Sequence, residues 1–499
     1  MTNKFIILIQ LITLFTVCGF SQSKYQDYRD LPKDEKGKVI IEFIEAYNTF
    51  DKTAFSDFIK NDFSKKFLND YTVESHIQYY TEYQHYLGKY EFECLRHYEN
   101  EASNTLSFLV MNQYFNSFIE FNITYDSLES KIANLTFSPF EPATPPNYFD
   151  KNTISESEFI DRTKELVSSL ADSDAFSGTV LIAKEDSILL EFVVGEESKR
   201  FHVLNKIDTK INLGSMNKIF TATAILKLFE DGKLQLNDTI SEYLDSSWLD
   251  NSVLNKITIH QLLTHTSGLG NFFNTTFLDG SRELYRNVDD FKTLIRTDSL
   301  KFTPGSQFEY SNMGFVLLGA IIEKVSSMTY FDYMRDSIFL PLGMINTDCY
   351  DMDIPVENLA IGYIASDNET KWKNNLFIHV IKGGPAGGGF STVHDLHKFG
   401  IALIQNSILS EKSTQLLSTS YNNAGRFGKY LGYEGYGYGT MIETENNEQA
   451  IGHLGGFPGI SAGFTVFPHS NYIICVLSNY DHAGIILSNY LKKMTFRIN

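Results

Sequence analysis

The chain has 499 residues, 43% of them hydrophobic, and a formal net charge of −19. That length accommodates two domains with proper cores. The charge excludes a nucleic-acid partner, because phosphates would be repelled rather than neutralised, and it is poor material for docking on an anionic membrane.

In chain order, Lys4 precedes the apolar run "FIILIQLITLFTV", which is too short for a comfortable membrane span. It reads as an export signal over residues 1–21, with Gly19 and Ser21 at the small positions before cleavage and Gln22 as the mature start. Lipidation at Cys18 ranks second, because Phe15, Thr16 and Val17 make a poor lipidation signal; a retained anchor ranks third. No stable membrane span is expected after signal removal. Cys18, Cys94, Cys349 and Cys475 are widely separated, with neither metal spacing nor a disulfide framework.

Residues 25–140 are rich in Tyr, Phe and acidic side chains. Val39, Ile40, Phe43, Ile44 and Tyr47 share one stripe at helical spacing. The extended segments "YEFECLRHY", "TLSFLVMNQ", "SFIEFNITYD" and "KIANLTFSPF" follow, separated by turn residues. Helices followed by a strand meander predict a small α+β domain, and this element order resembles the cone-shaped nuclear-transport-factor-2-like fold. Residues 141–154, with Pro142, Pro145 and Pro146, form a linker. From 155 to 499 the pattern predicts one α/β domain. A hairpin flanks Glu185-Asp186-Ser187, helices run to about 345, and strands close the chain. Strands at both ends predict a sheet formed by the two termini of the domain.

The chemistry concentrates in three places. In "INLGSMNKIFTATAILKLFED", Ser215 and Lys218 lie three apart on a helical pattern, so Lys218 can reach the Ser215 hydroxyl. Lowering a lysine pKa from about 10.4 to about 7 costs roughly 4–5 kcal/mol, which the apolar flank can supply by desolvation. A lysine-activated serine is the chemical reading; a helix cap with a snorkelling lysine is the bland one, and Ser21 begins a second Ser-x-x-Lys. In "FTPGSQFEYSNMGFVLLGAIIEKV", Tyr310 can relay a proton and Asn312 can bind Lys218 and a substrate carbonyl. Tyr-x-Asn also occurs at Tyr98, Tyr114, Tyr285 and Tyr421, so the triplet alone decides nothing. In "IGHLGGFPG", His453 lies on a predicted strand ahead of glycines that admit close backbone approach.

With "HQLLTHTSGL", "PLGM", "GGPAGGGFSTVHDL" and "GYGYG" in the same order, these elements resemble the penicillin-recognising serine hydrolases. The nearest branch is that of class C β-lactamases, D-alanyl peptidases and related esterases. The resemblance implies a β-lactamase-like fold: an antiparallel sheet from both ends of the domain, flanking helices and a helical lobe. It implies Ser215 as acylated nucleophile, Lys218 and Tyr310 sharing base and acid work, and Asn312 holding Lys218 and the substrate amide. His453 would tune Tyr310 electrostatically. The N–H groups of Ser215 and Gly456 would form the oxyanion hole beside Gly455. Leu454 replaces a common Thr or Ser and His453 a common lysine, which favours an ester, or a peptide without an essential terminal carboxylate, over a β-lactam. No cofactor or metal is expected. "GGPAGGG" lacks a phosphate-cradling ending and reads as a turn bordering the cleft, and His260 and His265 read as local structure. The alternative function is a non-catalytic cell-envelope binding protein on the same scaffold. Oligomeric state has no sequence signal.

Overall fold

The computed structural model describes residues 24–499 apart from 50, 129, 147–152 and 367–370. The expected export signal, Cys18 and part of the expected linker lie outside these residues. The chain divides into two compact units. One contains the residues up to Ala175 together with Lys493–Asn499, and the other runs from Phe176 to Lys492. In this division the helix after the linker goes with the first unit.

In the first unit, strand β1 (Tyr25–Tyr28) precedes helices α1 (Glu35–Thr49), α2 (Lys52–Asp62), α3 (Lys65–Asp70) and α4 (Val73–Leu87). Strands β2 (Tyr90–Tyr98), β3 (Thr105–Asn112), β4 (Phe118–Tyr125) and β5 (Ile132–Phe137) follow, then helix α5 (Glu156–Asp172). The five strands form an antiparallel sheet in sequential order. The predicted stripe on α1 faces inward: Ile40, Phe43 and Tyr47 are fully buried. Phe43 meets Phe58 of α2, Tyr80 of α4 and Phe121 of β4, at ring-centroid distances of 5.9, 5.7 and 5.1 Å. Arg96, also buried, pairs with Asp27 of β1 at 2.9 Å and with Glu120 at 3.4 Å, fastening β1 to the sheet. The chain returns at its end, where Ile154 accompanies Ile498 in a parallel bridge.

The second unit is built on an eight-stranded sheet. Its strands are β6 (Gly178–Lys184), β7 (Ser187–Val194), β8 (Asn422–Asn423), β9 (Gly435–Tyr436), β10 (Met441–Glu445), β11 (Glu448–Phe457), β12 (Ile460–Phe467) and β13 (Tyr472–Ser478). Their order is β8-β9-β10-β11-β12-β13-β6-β7, every pair antiparallel, so both ends of the unit meet at β13 and β6. Every residue of β12 and β13 is buried, as central strands covered on both faces must be. Helix α6 (Asn217–Glu230) is buried almost all round, which its nearly unbroken apolar sequence requires. It packs against α7 (Asn312–Ser326), while α8 (Val393–Ile404) covers the sheet through Phe399 on Phe464. Helix α9 (Ala483–Thr495) lies on the other face, where its Ser488 abuts Gly463. Cys94, Cys349 and Cys475 are all buried.

Candidate active site

The site begins where two backbones touch. A single 3-10 turn, Gly214–Met216, leads into α6 and runs beside Gly455 and Gly456 of β11. Gly214 has φ +50°, and a Cβ there would lie 2.8 Å from the Gly456 nitrogen; one on Gly455 would lie 1.8 Å from the Leu213 carbonyl oxygen. Only glycines permit this approach. The glycine-rich loop closes the turn from a third side: Gly388 N–H donates to the Gly214 carbonyl at 3.0 Å, and Leu213 N–H donates to the Gly389 carbonyl at 2.7 Å. Asn217 adds a side-chain bond to the Gly384 carbonyl at 3.2 Å.

Held in this way, Ser215 keeps partial exposure at the N-terminus of α6, where the helix dipole favours developing negative charge. Lys218, one turn on, is completely buried. Its Nζ lies 3.1 Å from Ser215 Oγ and donates to Asn312 Oδ1 at 2.7 Å and to the Ala386 carbonyl. Burial holds the Lys218 pKa well below the usual lysine value. Asn312 opens α7 behind the cap Ser311, and its Nδ2 donates to Asn271 Oδ1 at 3.1 Å, which turns its amide oxygen toward Lys218. Tyr310 covers the amine, with Nζ 4.9 Å from its ring centroid. Burial pushes the phenol pKa upward. Phe427 stacks on the Tyr310 ring at 4.7 Å.

Gly456 supplies an N–H directed away from β12. Phe457 and Ile460 flank a two-residue turn, so the Gly456–Ser461 pair is the non-hydrogen-bonded one of the alternating ladder. On the opposite edge β10 pairs with β11 only as far as Gly452. The Gly456 N–H thus sits next to Ser215 with no strand partner on either side.

The profile of the β-lactamase family matches residues 165–485. The chain belongs to this family. It is 28% identical over 331 residues to penicillin-binding protein 4* of Bacillus subtilis (strain 168), covering 63% of this chain and 71% of that protein. The penicillin-binding protein structure from Bacillus halodurans aligns with TM-score 0.58 and 30% identity, over 66% of this chain and 98% of that one. The D-stereospecific amidohydrolase from Streptomyces sp. aligns with TM-score 0.55 and 25% identity, over 65% of this chain and 94% of that one. The penicillin-recognising serine hydrolase resemblance and the β-lactamase-like fold expected from the motifs therefore both hold.

All seven residues singled out in the sequence, Ser215, Lys218, Tyr310, Asn312, His453, Gly455 and Gly456, lie in or beside this arrangement in the β-lactamase-family unit. Two expectations change. His453 is fully buried and hydrogen-bonds Tyr436 rather than Tyr310, whose ring centroid is 6.4 Å away. Burial and Lys218 push its pKa down to about 3, so at neutral pH it brings no charge with which to tune Tyr310. Leu454 shares the sheet face of Gly463 and Ser488 and is buried near α9, so it does not line the cleft. Adjacent strand residues point to opposite faces, and His453 already takes the inner one. Asn271, Tyr436, His265 and the Ala386 carbonyl were not anticipated as site groups. The shared position of "HQLLTHTSGL" and "GYGYG" in the motif order was the available signal for His265 and Tyr436.

Proposed function

We propose that the protein is an exported serine hydrolase that turns over esters or peptides through an acyl-enzyme on Ser215. The observation that carries this reading is the position of Lys218, fully buried with Nζ 3.1 Å from Ser215 Oγ. In its free-base form the amine has two hydrogens, for which Asn312 Oδ1 and the Ala386 carbonyl are the acceptors. Its lone pair is then left for the Ser215 proton. As Oγ attacks the acyl carbon, Lys218 takes that proton, and the oxyanion forms between the Ser215 and Gly456 N–H groups. Tyr310, whose raised pKa keeps it protonated, returns a proton to the leaving oxygen or nitrogen and is replenished from Lys218. Water then releases the acyl group by the reverse sequence.

The substrate class follows from charge and kinship. A neutral His453 gives the cleft no cation at that position for a substrate carboxylate. This supports esters, or peptides lacking an essential terminal carboxylate, over β-lactams. The likeness to a D-stereospecific amidohydrolase supports amide bonds within the range. Export rests on the N-terminal sequence; among the described residues no single helix is long and apolar enough to cross a membrane.

A fluorophosphonate probe tests the proposal. Wild type is expected to be labelled and Ser215→Ala to be silent, with short acyl esters turned over faster than a chromogenic β-lactam. Absence of Ser215-dependent labelling would return the protein to the non-catalytic binding role.

A further inference from the structure

Three side chains from three separate segments form one hydrogen-bonded line along the inner edge of the site. The Ser311 N–H donates to His265 Nδ1 at 3.1 Å. His265 Nε2 lies 3.0 Å from the Tyr436 hydroxyl, and that hydroxyl lies 3.2 Å from His453 Nε2. His453 Nδ1 faces the Leu454 carbonyl. Both ends are backbone groups of fixed polarity, since an N–H only donates and a carbonyl only accepts. The direction is therefore unique. His265 accepts at Nδ1 and donates from Nε2, Tyr436 donates to His453 Nε2, and His453 donates from Nδ1. The two imidazoles are neutral and of opposite tautomer.

A proton added at His453 Nε2 would break this order. Two N–H groups would then converge on the Tyr436 oxygen, and its own hydrogen would be left without an acceptor in a buried place. The groups facing His453 are Lys218 from α6, the Tyr310 ring, His265 and Tyr436. An imidazolium there would stand against the amine that must itself change charge during acylation.

We propose that Tyr436 is a positioning residue. By bridging His265 and His453 it holds the His453 imidazole neutral beside Lys218, so that Lys218 alone sets the acid limb of the reaction. The kinetic part of this inference rests on the serine-hydrolase reading, whereas the tautomers do not. Burial acts in the same sense, holding His265 well below the usual histidine value.

Neutron diffraction from deuterium-exchanged crystals of the full chain at neutral pH reads the line directly. Deuterons are expected on His265 Nε2 and His453 Nδ1 and not on His453 Nε2; a deuteron on His453 Nε2 overturns the proposal. The kinetic arm follows fluorophosphonate labelling against pH in wild type and in Tyr436→Phe. Wild type is expected to show one ionisation on the acid side. The variant is expected to lose about fivefold at neutral pH and to gain a second ionisation, from a His453 now open at Nε2. Superimposable profiles overturn the positioning role. If wild type takes no label, the hydrolase reading fails while the neutron map still decides the tautomers. If Tyr436→Phe does not fold, that map decides alone.

Discussion

Substituting Gly455 by alanine tests whether the touching backbones build the oxyanion site. The new Cβ would lie 1.8 Å from the Leu213 carbonyl oxygen, whereas real Cβ contacts essentially never fall below 3.0 Å. The nucleophile turn and β11 must then part by about 1.2 Å. The obstacle is backbone on both sides, and the turn is pinned by Gly388 and Gly389, so no side-chain rotation relieves it. A displacement of that size takes one N–H donor out of range of the oxyanion. Loss of such a donor costs about 3–4 kcal/mol of transition-state stabilisation, or about 10²–10³ in rate. The assay is the second-order rate of ester acylation by stopped flow, with thermal unfolding as a check on folding. Gly384→Ala in the glycine-rich loop is the control, because a Cβ there meets nothing within 4 Å. A Gly455→Ala rate within threefold of the Gly384→Ala rate would refute the oxyanion geometry.

Lys218→Met is expected to slow acylation about 10²–10⁴-fold and to change how stability depends on pH. Burial holds the folded pKa of Lys218 well below its unfolded value of about 10.4. Between the two values the unfolded chain binds a proton that the folded chain does not, so this group makes stability rise with pH there, by up to about 1.4 kcal/mol per pH unit. Denaturant midpoints at pH 6.5 and 9.5 should show the advantage of the variant shrinking with pH; a constant gap would mean that the buried amine is charged. Asn271→Leu removes the bond that orients the Asn312 amide. A loss of about fivefold in kcat/KM, with unfolding unchanged to within a few degrees, is expected; an unaltered kcat/KM rules out an orienting role.

Local periodicity made much of this molecule readable. The segment "YEFECLRHY" coincides with β2, and the α1 stripe faces the core, because strand alternation and helical spacing depend on near neighbours alone. Ser215 and Lys218 meet for the same reason. The strand Tyr25–Tyr28 was missed: four residues carry too little pattern, and its anchor, Arg96, lies far along the chain. Ala386 could not be foreseen as a Lys218 partner, since a carbonyl has no signature in residue type. His453 was placed correctly but given a charge that its burial removes. Leu454 lies away from the cleft for an equally local reason. Once His453 points inward, the period of a strand sends the next residue to the other face.

The register of Tyr472–Ser478 on Gly178–Lys184 has a consequence for biosynthesis. The first hairpin of this unit is made early, yet its inner edge waits for a partner translated nearly three hundred residues later. Ser215 likewise leaves the ribosome long before Gly456, the second N–H donor of the proposed oxyanion site. On the proposed hydrolase reading, acylation would then wait until the last strands join the first.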